Sequence, residues 1–155
     1  MKWIILIIFQ ILLMNVHFLI AKYVSIFELH PIPLLVLAVF FILKADEKSI
    51  YISLLITGII TDIFYGRSIG PFTGLYLVSA VLLINSRDML FKDHFMTHAI
   101  FVFIISMIGV FILYAIHGVV SLRAPIFIAL YNTLLTPFLY HLFNQLKLHK
   151  LVSMG

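Results

Sequence analysis

The chain contains no cysteine among its 155 residues. That excludes a disulfide framework, a thiolate zinc site, an iron–sulfur cluster and a cysteine nucleophile. Charge is also scarce. Ten Lys and Arg and six Asp and Glu make up only 10% of the residues, against about a quarter in an ordinary soluble domain. So few charges cannot cover the surface of a soluble domain. A disordered chain and a collagen-like fibre are excluded by the same composition, in which 64% of residues are hydrophobic. Catalytic signatures are missing as well: there is no GxSxG, no HExxH, no P-loop and no DxxD-like acidic cluster. What is there is a succession of long apolar runs, the mark of an all-α membrane protein. The net charge of +4 then reports topology rather than a nucleic-acid footprint, and the surrounding partner is the lipid bilayer.

A spanning helix needs about 20 mostly apolar residues. Charge and turn residues punctuate six candidates, at about 3–22, 27–44, 50–65, 71–86, 95–120 and 125–146. Together they predict one integral membrane domain over 1–155, a six-transmembrane-helix bundle. The first run lacks a small-residue cleavage site and reads as a retained anchor. Pro31 and Pro33 suit the first turn of the second helix and Pro71 that of the fourth. With the N-terminus inside, the inner segments hold seven basic residues: Lys2, Lys44, Lys48, Arg87, Lys92, Lys147 and Lys150. The outer segments hold three, Lys22, Arg67 and Arg123. This bias favours two cytoplasmic termini.

Polar residues inside the spans are the candidate functional residues. Asp62 is the one acid deep in an apolar run, and such a residue is expensive in lipid. Three roles suit it: local capping or pairing with Arg67 near the outer end of helix 3, contact with a partner or ligand, or proton transfer. Gly58, Asp62 and Gly66 follow at i, i+4 and i+8, and Gly70 and Gly74 repeat the step after the turn. Small residues on one face let helices approach closely, within the chain or across an interface. On helix 6, Asn132, Thr136, Tyr140 and Asn144 share a face, and Thr133, Pro137 and His141 form the adjoining row. Pro137 removes a helix hydrogen bond and predicts a kink. The stripe suits internal hydrogen bonding, a ligand cavity or a partner surface. Trp3, Gln10 and His17 share a face of helix 1 and suit packing. His94 and His98 are four apart but lack a third ligand, so a wet interface explains them better than a metal. No metal, cofactor or catalytic residue is expected.

Two segments carry a family resemblance. The stretch from Gly58 through Asp62 and Gly66 to Gly70 resembles the G-x-x-x-D-x-x-x-G-x-x-x-G stretch of the MreD family, small rod-shape-determining membrane proteins. Tyr131 to Pro137, with Asn132, Thr136 and Pro137 inside a span, resembles that family's C-terminal helix. The resemblance implies a non-enzymatic scaffold of the bacterial cell-wall elongation (rod-shape) machinery, in the cell membrane. It implies binding to the bitopic protein MreC and, through the complex, to the MreB filament, a glycan polymerase and a transpeptidase. It also implies a fold similar to the substrate-binding subunits of energy-coupling-factor vitamin transporters, which makes such a subunit the alternative reading. Helix 1 carries bulky Ile, Leu and Phe rather than an Ala-x-x-x-Ala docking face, and the connection around Lys22 to His30 is short; both favour the scaffold. On this reading a partner helix docks beside Gly58, Gly66, Gly70 and Gly74, and Asp62 with Arg67 orients the outer end.

Overall fold

A computed structural model describes residues 2–24, 29–65, 70–85, 94–118 and 121–153. Every regular element with a defined range is an α-helix: α1 (Lys2–Val24), α2 (Pro33–Lys44), α3 (Glu47–Tyr65), α4 (Pro71–Ile84), α5 (Phe95–Ile116), α6 (Arg123–Gln145) and α7 (Leu148–Ser153). Four of them contain segments long and apolar enough to cross a membrane: Trp3–Ala21, Glu47–Tyr65, Phe95–Ile116 and Arg123–Gln145. The chain is therefore an all-helical protein of membrane type.

Of the six expected spans, four hold described helices long and apolar enough to cross a membrane. Helix α2 has 12 residues and α4 has 14. At 1.5 Å per residue they are about 18 and 21 Å long, short of the ~30 Å hydrocarbon core. Pro33 opens α2 and Pro71 opens α4, each in the first turn. Upstream of α2, Leu29 to Ile32 is not helical, so the second helix starts later than its apolar run. Gly118, with φ of 77°, ends α5 soon after Ile116. Lys147, with φ of 50°, separates α6 from α7, a short helix where the sequence reading expects only a tail. The loop from Arg87 to Asp93 lies outside the described residues, as do Gly66 and Arg67.

The short helix α2 is the axis of the bundle. Pro33 to Leu43 is buried at every position, and α2 touches all six other helices. A helix that is apolar all round belongs in an interior, and PLLVLAVFFIL has no polar face to show. The remaining helices are arranged around it, with α5 against α6 and α3 against α4 as the closest pairs. Outward rows such as Ile100, Ile104, Ile108 and Ile112 of α5 are exposed, as expected of surfaces that lipid covers.

Candidate functional site

Asp62 is 1% exposed and faces the start of α4. Its Oδ2 accepts from the Gly70 N–H (2.9 Å), the Thr73 N–H (3.1 Å) and the Thr73 hydroxyl (2.7 Å). Its Oδ1 accepts from the Phe72 N–H at 2.8 Å. The reason lies in the local sequence. Gly70 occupies the N-cap of α4 and makes no side-chain cap, and Pro71 follows at the first position. The first turn of a helix has N–H groups without intrahelical partners, and here the acceptor comes from the neighbouring helix. The positive end of α4's dipole favours the carboxylate further. With both oxygens engaged, Asp62 is a structural carboxylate joining α3 to α4 near the end of α3. Arg67 lies outside the described residues, so the expected pairing has no counterpart here.

The glycines divide by what surrounds them. A Cβ at Gly58 would lie 2.5 Å from Thr73 Cα, so this glycine lets α3 and α4 touch at the backbone. The face expected to receive a partner helix at Gly58 and Asp62 is thus filled by α4 of the same chain. At Gly109, a Cβ would overlap the end of the Leu75 side chain. Gly70 has φ of 132°, which only glycine adopts readily. Gly74 differs from all of these. It lies inside α4, and among the described residues nothing comes within 4 Å of a Cβ placed there.

The stripe on α6 turns inward at one end of α2. Asn132 and Thr136 are fully buried. The Ile32 N–H, at the non-helical entry to α2, donates to Asn132 Oδ1 at 2.7 Å, and Asn132 Nδ2 donates to the Ser106 hydroxyl at 2.9 Å. The Thr136 hydroxyl donates to the Asn132 carbonyl. Asn132 thereby satisfies a main-chain group that no helix bond reaches. At the other end of α2, Lys44 Nζ donates to Asn144 Oδ1 at 3.1 Å and stands 5.0 Å from the Tyr140 ring centre. The Pro137 row points the other way: Pro137 and His141 are exposed. His98 is buried, with its ring centre 4.6 Å from that of Tyr140. Of the histidine pair expected at a wet interface, His94 is exposed and His98 is buried.

A second polar row was missed at the sequence level. Ser53, Thr57 and Thr61 recur every four residues of α3 and are buried. Each hydroxyl donates to a carbonyl three or four residues earlier. Gln10 Nε2 of α1 donates to Thr57 Oγ1 at 2.7 Å, and the Tyr76 hydroxyl of α4 meets Thr61 Oγ1 at 3.3 Å. The four-residue spacing was the available signal, hidden because Ser and Thr satisfy themselves against their own helix. At one end of this row, the Tyr65 hydroxyl donates to the Pro31 carbonyl, and the His17 ring lies 6.5 Å from that of His30. Among the described residues no group of three or more His, Asp or Glu side chains converges.

These polar groups hold short or irregular backbone inside an apolar bundle. No family model, no curated protein and no solved structure matches the chain.

Proposed function

We propose that the chain is a non-enzymatic membrane scaffold of the bacterial cell-wall elongation machinery, of the MreD kind that its motifs resemble. On this reading α2 and α4, with their flanking segments, complete six crossings, and both termini are cytoplasmic. The chain receives the single transmembrane helix of an MreC-like bitopic partner, and reaches the MreB filament, glycan polymerase and transpeptidase through that complex. The docking surface is the outer face of α4, where Gly70, Gly74, Val78 and Leu82 are exposed.

Gly74 is the observation that carries this reading. Glycine inside a helix costs about 1 kcal/mol relative to alanine. Gly58, Gly109 and Gly70 each have an internal reason to be glycine, and Gly74 has none among the described residues. A close helix contact from outside supplies the reason. The test is co-purification with an MreC-like partner. Gly74→Leu is expected to reduce recovery of the partner at least tenfold while the isolated protein keeps or gains thermal stability. Undiminished recovery of the partner overturns the docking surface. Labelling of Lys48→Cys by an impermeant maleimide in intact cells overturns the orientation.

A further inference from the structure

Helix α1 is the least enclosed of the four long helices, with 22% of its span buried within the chain. Its inward side carries Leu6, Gln10, Met14 and Ala21, all buried. Its other sides are exposed along most of their length, Ile4, Ile11, Val16 and Ile20 included, and one row among them is regularly spaced. Ile5, Ile8, Leu12, Asn15 and Leu19 are all exposed and are spaced by three, four, three and four residues. That is the heptad spacing of a helix pair, with Asn15 at one of the two seam positions.

Asn15 does not belong against lipid. It lies six residues before Ala21, where the apolar span ends, about 9 Å inside that end. Its Nδ2 donates to the Ile11 carbonyl one turn back, at 2.8 Å. Among the described residues its Oδ1 accepts from nothing, and lipid offers no donor. Polar groups at such depth face protein or water.

We infer that the outward seam of α1 binds a second copy of this chain, with Asn15 hydrogen-bonded to Asn15 across a twofold axis normal to the membrane. The occupant follows from symmetry and depth. Two copies inserted in the same orientation bring their α1 helices together in parallel, so Asn15 meets its equivalent at the same level. A carboxamide is both donor and acceptor, so the pair is self-complementary, as an isologous contact requires. Any other helix would need a donor placed at this one depth. A polar residue in an apolar seam fixes register and partner number, and side-chain amides link helices within membranes. The seam lies on α1 and the docking face proposed above lies on α4, so the two readings stand or fall separately.

The experiment uses the full chain in liposomes, with association read by energy transfer between labelled copies across a range of protein-to-lipid ratios. Self-association is expected, weakened at least tenfold in Asn15→Leu and largely retained in Asn15→Gln, which keeps the amide. Because the native chain has no cysteine, single substitutions give a second readout that does not alter Asn15. Leu12→Cys and Leu19→Cys are expected to form intermolecular disulfides on mild oxidation, and Ile108→Cys on the outer face of α5 is not. A monomer at every ratio, an Asn15→Leu variant that associates like the native chain, or equal cross-linking from Ile108→Cys overturns the proposal.

Discussion

Asp62 and Thr73 are joined twice: the main-chain N–H and the hydroxyl of Thr73 both donate to Asp62 Oδ2, at 3.1 and 2.7 Å. One turn earlier on α3, Gly58 lies against the Thr73 Cα. The carboxylate and the missing side chain act on the same residue. Close backbone approach brings the first turn of α4 within reach of Asp62, and the hydrogen bonds hold it there.

Asp62→Ala is therefore expected to destabilise the isolated protein. It strands main-chain donors at Phe72 and Thr73 in a buried place, at a cost of about 1–3 kcal/mol for each unsatisfied group. Asp62→Asn keeps one acceptor oxygen and is expected to lose roughly half as much. Thermal unfolding in detergent orders the three proteins; an Asp62→Ala protein as stable as the native one contradicts the cap. This outcome differs from a small loss confined to partner binding, which the sequence position near the helix end suggests.

The two packed glycines are expected to respond unequally. Gly58→Ala places its methyl against main chain, which cannot yield without moving α4, and overpacking of this kind costs about 1–3 kcal/mol. Gly109→Ala meets only the end of Leu75, which can change rotamer, and is expected to cost less. Reversal of that order in detergent unfolding contradicts the close contact of α3 with α4.

Asn132→Ala removes the acceptor of the Ile32 N–H and the donor to Ser106. A loss of about 1–3 kcal/mol is expected from the stranded N–H alone. Ser106→Ala breaks only the second bond and is expected to cost less. Because both changes act on one network, the double variant is expected to lose less than the two single losses together. Strict additivity in unfolding experiments contradicts the shared network.

Acidification is expected to loosen α7. The Asp46 main-chain N–H donates to the Ser153 hydroxyl at 3.2 Å, and the Ser49 hydroxyl donates to Asp46 Oδ2 at 3.2 Å. Hydrogen bonding from Ser153, and then from Ser49, holds the Asp46 carboxyl below its ordinary 3.8. A carboxyl lowered by folding stabilises the folded state above its ordinary value and loses that contribution as pH falls through the folded one. The window thus lies below about pH 4. A spin label at Lys150→Cys is expected to become more mobile there, and to lose this pH dependence in a Ser153→Ala background. A spectrum independent of pH between 6 and 3 contradicts the coupling.

Much of the architecture was legible in hydrophobic runs and charge punctuation. Runs of apolar residues set α1, α3, α5 and α6, because length and lack of charge are what a membrane selects. They misjudged α2, because an apolar run does not say where its helix begins. Ile32 precedes Pro33, and a residue before proline is steered away from helix; that signal was present at His30 and Ile32. The partner of Asp62 was half legible. Gly70 followed by Pro71 announces a helix start without a side chain to cap it, so an outside acceptor is needed. Which acid supplies it depends on the packing of α3 on α4, and no single-chain pattern states that. The direction of the α6 stripe was legible for Asn132 and Thr136, but spacing did not say that the adjoining Pro137 row faces outward. Helix α7 was illegible, since six residues with one charge carry too little periodicity.

The bond between Ile32 and Asn132 joins residues 100 positions apart. While the chain is being synthesised, α2 leaves the ribosome long before α6 exists. Too short to cross a bilayer by itself, it enters the membrane with an unsatisfied main-chain group at its head. Only when the final long helix arrives does that group acquire its acceptor. The seat of the second helix thus depends on a residue 100 positions later in the chain. A product truncated before Asn132 leaves α2 without the acceptor at its head.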